Sequence, residues 1–406
     1  MTSLLTLKQE QDLQYSILDY LKSSGFQSSY QSFSNETGLT LDDQYQGLLQ
    51  KKWTSIIRLQ KKIMQLEETV QVLQSELSSM PFHKKNQEIG LSLPKQPEKL
   101  VLKGHQKGIT AIAFHPTFTN LATSSDDATI KIWDFETGEF EKTLKGHTKS
   151  IQDLCFHSDG NYLVSSSMDL SIKVWDVANN YTCTKTLHGH DHTISSICLL
   201  PNSDTLLSVS RDSTMKVWDL TLGYCINTIQ VQSDWIRKVI CSDDGQFVAT
   251  CGNDHMITLW NPTKWHTITE LRGHDHVIES IVFAPIKSND YINQLLPNTI
   301  QSQKIEYIAS ASRDKMIKLW NIHSHQCIYT FSGHENWCRD LYFYPDGSKL
   351  VSVGDDKTLK VWDLSKGTLE LSFQAHSQFV VCVALHPTLP LLVTGSSDKT
   401  IKCWLC

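Results

Sequence analysis

Seven tryptophans, Trp133, Trp175, Trp218, Trp260, Trp320, Trp362 and Trp404, follow one another at separations of 42, 43, 42, 60, 42 and 42 residues. A period kept in five of six gaps means that one supersecondary unit is repeated, and that each unit buries its apolar face only against its neighbours. The same markers precede every Trp. Six residues before it stands an Asp (Asp127, Asp169, Asp212, Asp254, Asp314, Asp356, Asp398), and ten before it a hydroxyl (Thr123, Ser165, Ser208, Thr250, Ser310, Ser352, Thr394). Twenty-eight residues before it stands a His in five repeats (His105, His147, His190, His334, His376). In the fifth repeat His274 lies 46 residues back, because 18 extra residues are inserted around Pro285 to Lys304. The fourth repeat has Gln232 in that place, within the stretch VQSDWIRKV (231–239).

Between the markers run short alternating segments such as TIKIW (129–133) and SIKVW (171–175), bounded by Asp, Gly and Ser, which read as strands. With Gly-His at one end and Trp-Asp at the other, they resemble the WD-repeat family, whose repeats form four-stranded propeller blades. The resemblance covers roughly residues 97 to 406 and implies an all-β, seven-bladed WD-repeat propeller over 98–406. The chain stops two residues after Trp404, which leaves the seventh blade short of an outer strand. EKLVLKGH (98–105) is similar to EKTLKGH (141–147), where an outer strand leads into the next blade. The N-terminal segment is therefore expected to supply the missing strand and leave no unpaired edge.

A net charge of -6 gives no basis for nucleic-acid binding. The start MTSLLTLKQEQDLQ lacks the basic flank and apolar core of a signal peptide, and no apolar run reaches the length of a membrane span. A cytoplasmic protein without membrane insertion is expected. Eleven cysteines are scattered without the clustering of a disulfide scaffold, so they are expected to be reduced packing residues, Cys403 and Cys406 included. Recurrent Ser, His and Asp suggest a hydrolase triad, but seven near-copies are not seven active sites. The WD-repeat resemblance implies instead that these residues hydrogen-bond with the Trp inside each blade. His190 with His192, and His274 with His276, have ligand spacing, yet one His of each pair belongs to the repeat pattern. The expectation is no enzyme, no metal and no cofactor.

The first hundred residues differ in style. Leu13, Ile17, Leu18, Tyr20, Leu21, Tyr30 and Phe33 lie at helical spacings, interrupted at Ser23, Ser24 and Gly25, which predicts two short helices. This stretch, 8–40, resembles the LisH motif, a helical dimerisation element. Thirty residues cannot bury such a stripe alone, which makes Ile17, Leu21, Tyr30 and Phe33 candidate dimer contacts. Ile56, Leu59, Ile63, Leu66, Val70, Leu73, Leu77 and Met80 alternate at three and four residues, an a/d seam that predicts a parallel two-stranded coiled coil over 53–80. An amphipathic helix docked on the propeller is the alternative. Pro81, Pro94 and Pro97 mark 81–97 as a linker.

LisH motif, coiled coil and seven WD repeats in this order, with GLLQKKWTSIIRLQKK at 47–62, resemble the lissencephaly or nuclear distribution protein F family. The resemblance implies a homodimeric, non-catalytic regulator that binds the motor domain of the cytoplasmic dynein heavy chain and works with NudE-type coiled-coil proteins. It would support nuclear migration and spindle positioning, in the cytoplasm, on microtubules and at the centrosome or spindle pole. A non-catalytic subunit of a platelet-activating-factor acetylhydrolase, bound to its catalytic subunits, and a ubiquitin-ligase substrate adaptor remain as alternatives.

In a propeller, the residue before each turn Asp and those three and five after each His position crowd around the central opening of one face. Before the Asp stand Asp126, Met168, Arg211, Asn253, Arg313, Asp355 and Ser397. Three after the His position stand Gly108, Ser150, Thr193, Trp235, Val277, Trp337 and Phe379; five after, Thr110, Gln152, Ser195, Arg237, Glu279, Arg339 and Val381. Arg and Trp gather in the third to sixth repeats, where Lys357 joins them. Arg211, Trp235, Arg237, Arg313, Trp337, Arg339 and Lys357 are thus the candidate partner-binding face, suited to an acidic, partly apolar surface. The family resemblance implies the motor-binding role for Arg211, Arg237, Arg313, Trp337 and Lys357.

Overall fold

A computed structural model describes residues 7–39, 92–201, 203–231, 234–295 and 306–406. The coiled-coil seam, Gln232 and the second half of the insertion lie outside the described residues. The chain divides into two units, Met1–Ile89 and Gly90–Cys406.

In the first unit, helix α1 (Leu7–Ser23) packs against helix α2 (Gln27–Thr37). Gly25 separates them at φ 82°. Gly38 ends α2 in the left-handed conformation, and its N–H bonds the Ser34 carbonyl, capping the last turn. Leu18 is buried, Ile17, Leu21, Tyr30 and Phe33 are half-buried, and Tyr20 and Phe26 are exposed.

In the second unit, the described residues form 28 strands in seven antiparallel sheets of four. Each sheet is a propeller blade. Blade 1 illustrates the pattern: inner strand Ile109–Phe114, then Asn120–Ser125, Thr129–Asp134 and outer strand Phe140–Lys145. The second strand combines small residues, often hydroxyls, with aliphatic ones because both of its faces are buried between blades. Blade 7 is completed from the far end of the unit. Leu100–Lys103 pairs antiparallel with Thr400–Leu405, Leu100 opposite Cys403 and Lys103 opposite Thr400. Around this closure Leu102, Ile109, Leu121 and Trp133 form one apolar cluster with Val393, Ile401 and Cys403.

Each blade with a His holds the expected polar network. In blade 3, His190 Nδ1 lies 2.8 Å from Asp212 Oδ2, His190 Nε2 lies 2.7 Å from Ser208 Oγ, and Trp218 Nε1–H donates to that hydroxyl at 2.8 Å. The Asp carboxylate can only accept, so Nδ1 of the neutral imidazole carries the proton given to it, and Nε2 accepts from the hydroxyl. The six hydroxyls of these blades are fully buried. The Gly before five of the six His residues has a local reason too; Ala375 stands before His376. A Cβ at Gly146 or Gly189 would meet the ring of Trp175 or Trp218 at 3.1 Å.

Blade 4 keeps only part of the network. Trp260 donates to Thr250 at 3.0 Å and Met256 N–H to Asp254 Oδ1 at 3.1 Å, but Asp254 Oδ2 is buried without a partner among the described residues. Burial raises the Asp254 carboxyl, whereas the bonds around Asp169, Asp212 and Asp356 outweigh burial and hold those carboxyls low.

The start of the insertion is ordered. A 3-10 turn (Ile286–Ser288) and helix α3 (Asn289–Leu295) pack on blades 5 and 6, where Ile292 is fully buried beside Tyr307, Phe331 and Leu364. Asn293 accepts a bond from the Tyr307 hydroxyl at 3.1 Å.

Candidate functional site

A repeated backbone device builds the face around the central opening. In every blade the N–H of the residue before the turn Asp bonds the carbonyl three residues past the His position, as in Arg211 to Thr193, Asn253 to Trp235, Arg313 to Val277 and Asp355 to Trp337, each at 2.9 Å. These bonds join the two outer sets of side chains. The third set is placed by a β-bulge. In all seven blades the inner strand skips one residue in its pairing, and the skipped residues are Thr110, Gln152, Ser195, Arg237, Glu279, Arg339 and Val381. A bulge re-aims its side chain. Here it aims all seven into the central cavity, of about 300 Å³.

The charged residues of this ring, Arg237, Glu279 and Arg339, stand in one sector, on blades 4 to 6. Trp235 lies between two guanidiniums, Arg211 at 4.8 Å and Arg237 at 3.6 Å from its ring centre. Trp337 repeats the arrangement two blades on, with Arg313 at 4.2 Å and Arg339 at 5.1 Å. Each Trp is thus held by its own strand's Arg and the turn Arg of the preceding blade, at about 0.5–2 kcal/mol per contact depending on solvation. Trp235 Nε1–H also donates to Ser195 at 2.6 Å.

Acids that the composition of the ring did not single out tie the arginines down. Arg339 forks onto Asp355, Nε to Oδ1 at 2.7 Å and Nη2 to Oδ2 at 2.9 Å. Arg237 Nε donates to Asn253 Oδ1 at 3.0 Å. Arg313 Nε donates to Glu279, whose carboxylate also lies 3.9 Å from Arg237 and 3.7 Å from Arg339. Burial opposes the charge of Arg339, but Asp355 and Glu279 more than offset it and its pKa rises; burial and the neighbouring guanidiniums lower that of Arg237.

Below this tier, Lys238 reaches Asp153 at 3.4 Å, and Asp340 accepts from Ser280 at 2.8 Å and from Val383 N–H at 3.0 Å. Burial works against the Lys238 ammonium, yet Asp153 and Asp340 raise its pKa. These groups cross-brace the channel beneath the mouth.

The structure therefore brings Arg211, Trp235, Arg237, Arg313, Trp337 and Arg339 together. Lys357 occupies the left-handed turn position after Asp356, φ 67°, half-buried and without an ion pair among the described residues. Glu279, Asp355 and Asn253 are the members that sequence reasoning passed over, although each stands in one of the three ring positions. Of the dimerisation candidates, Ile17, Leu21, Tyr30 and Phe33 lie on α1 and α2; Ile56, Leu59, Ile63, Leu66, Val70 and Leu73 fall outside the described residues. Among the described residues no group of His, Cys, Asp and Glu could hold a metal ion, and no helix is long and apolar enough to cross a membrane.

Comparison with known proteins agrees with this architecture. The family profile described as WD domain, G-beta repeat matches residues 97–134, 138–176, 181–219, 223–261, 265–321, 325–363 and 367–404. The PAC1 LisH domain profile matches residues 8–42. Nuclear distribution protein PAC1 of Coccidioides posadasii is 40% identical over 377 residues, spanning 87% of this chain and 80% of its own. Nuclear distribution protein nudF of Aspergillus terreus is 41% identical over 370 residues, spanning 87% and 83%. Repeats, LisH profile and similarity over most of both lengths place the chain in the nuclear distribution protein PAC1/nudF family, also known as the lissencephaly family.

Proposed function

We propose that the protein is a dimeric, non-catalytic regulator of the cytoplasmic dynein pathway that binds the dynein motor domain through the Arg/Trp sector of its propeller mouth. In this role it supports nuclear migration and spindle positioning on cytoplasmic microtubules, together with a NudE-type coiled-coil partner. The observation that carries the reading is the mouth itself. Four guanidiniums, those of Arg211, Arg237, Arg313 and Arg339, face two carboxylates, Glu279 and Asp355, and are braced on two tryptophans. Rigid Arg and Trp side chains around a cavity form the kind of cluster that dominates interface energy. The surplus of positive charge suits an acidic partner. Relatives named nuclear distribution proteins support the pathway.

Non-catalysis is supported by the repeat network, whose hydroxyls are fully buried and bonded to Trp. Dimerisation is supported by a LisH unit with Tyr20 and Phe26 exposed and by the seam from Ile56 to Met80 in the sequence. Two propellers on one dimer raise the effective concentration of the second once the first is bound.

The test is binding of full-length protein to a purified cytoplasmic dynein motor domain, beside Trp337→Ala and Arg237→Ala/Arg313→Ala. Truncating a central anchor costs about 2 kcal/mol, roughly thirtyfold in Kd. Equal binding by variants and parent would discard the site; no binding by the parent would shift the function to an acetylhydrolase subunit or a ligase adaptor.

A further inference from the structure

Glu279 is the one acid in the seven-residue bulge ring, and its neighbours in that ring on blades 4 and 6 are Arg237 and Arg339. Its side chain is only 9% exposed. The carboxylate accepts from Arg313 Nε and lies within 4 Å of Arg237 Nη1 and Arg339 Nη1. Three like charges gather around this carboxylate, each also stacked on a Trp, while Arg339 forks onto Asp355 and Arg237 donates to Asn253.

Two consequences of this arrangement oppose each other. As a charge, Glu279 weakens the attraction of the face for an acidic partner. As an anchor, it binds Arg313 directly and offsets the repulsion among three guanidiniums, of which Asp355 and Asn253 hold the other two. A guanidinium has five N–H donors. Arg313 gives Glu279 its Nε–H, so the paired Nη edge stays available for a carboxylate arriving from outside.

Resting on the motor-binding reading, we infer that Glu279 is the positioning residue of this face: it fixes Arg313 between Arg237 and Arg339, and selects a partner that presents a discrete carboxylate to the Nη edge of Arg313. Diffuse negative charge is a poorer match. The closeness of Arg237 and Arg339 to Glu279, at 3.9 and 3.7 Å, places both guanidiniums around the same carboxylate that Arg313 binds directly. Preorganised side chains lose less freedom on binding, and that gain is read in the dissociation rate.

The test compares association and dissociation rates of full-length parent, Glu279→Gln, Glu279→Asp and Arg313→Ala on an immobilised cytoplasmic dynein motor domain, at low and at physiological salt. Glu279→Gln keeps the shape and adds one net positive charge, so association at low salt quickens by about two- to threefold. Dissociation accelerates about tenfold as the anchor is lost, so affinity falls although the face has become more positive. Glu279→Asp keeps the charge but draws it back by about 1.5 Å, one carbon–carbon bond, and raises dissociation with the association rate unchanged. This split between the rates is not what a loss of folded protein produces, since that lowers only the active fraction.

Tighter binding by Glu279→Gln, or parental dissociation rates in both Glu279 variants, with Arg313→Ala still impaired, would overturn the positioning role and leave the face assigned. Undiminished binding by Arg313→Ala would overturn the face, and the positioning role with it.

Discussion

The same substitution at equivalent positions of two neighbouring blades should have opposite effects. Asp212 accepts four bonds: from His190 Nδ1 at 2.8 Å, Asp191 N at 3.0 Å, Thr214 N at 2.9 Å and Thr214 Oγ1 at 2.6 Å. Asp212→Asn replaces one acceptor oxygen by a donor. His190 can answer by changing tautomer, but Asp191 N–H then faces an NH2 group and the charge that strengthened all four bonds is gone. Losing one to two charge-assisted bonds at about 1.5 kcal/mol each costs about 1.5–3 kcal/mol. Asp254 accepts from Met256 N–H, and its second oxygen has no partner among the described residues. Asp254→Asn keeps the Met256 bond and removes a buried charge that the fold holds in an unfavourable state. The expected change lies between zero and a gain of about 1 kcal/mol.

Thermal unfolding followed by tryptophan fluorescence at pH 7 reads both variants. At roughly 2 °C per kcal/mol for a domain of this size, Asp212→Asn melts about 3–6 °C below the parent, and Asp254→Asn at or up to about 2 °C above it. An equal loss in both would refute the reasoning, since it would mean that Asp254 is as fully bonded as Asp212.

Three further outcomes are expected. Burial lowers His105 and His376 below the ordinary 6.5, so the fold prefers them neutral, and that stability fades as pH falls below about 6.5. Despite burial, bonds bring Asp127 and Asp398 down to about 2; their contribution stands above the ordinary 3.8 and fades between there and about 2, so melting temperature should step down in both windows, and a rise between pH 7 and 5 would contradict this. Leu102→Asp puts a carboxylate into the closure cluster, where Leu102 is 2% exposed, and should cost about 3 kcal/mol or more and promote association through the opened edge of blade 7, checked by melting and by size-exclusion chromatography. Leu59→Asp with Ile63→Asp should halve the mass by light scattering while the propeller keeps its melting temperature; an unchanged mass would remove the seam from dimer assembly.

The blades were legible in the sequence because their network needs four residue types at set spacings, and each copy repeats the test. Closure by Leu100–Lys103 was legible for the same reason, as EKLVLKGH imitates an outer strand and its Gly-His exit. The face was legible only as a set of positions. That Glu279 gathers arginines from blades 4, 5 and 6 depends on a bulge that turns each inner strand, and no local pattern marks that bulge. The burial of Ile292 was equally hidden, since a lone apolar residue in an insertion is recognisable as core only when blades 5 and 6 close over it. Gln232 showed that a His was missing, but the burial of an Asp254 oxygen without a partner among the described residues is a property of packing.

The most direct test of the central claim is amide hydrogen exchange of the full-length protein, free and bound to a cytoplasmic dynein motor domain. The account predicts new protection in the turns around Arg211, Trp235, Arg313 and Trp337 to Lys357, with the opposite face, around Asp159, Asp243 and Asp346, unchanged. Protection confined to that opposite face or to the outer strands would contradict it.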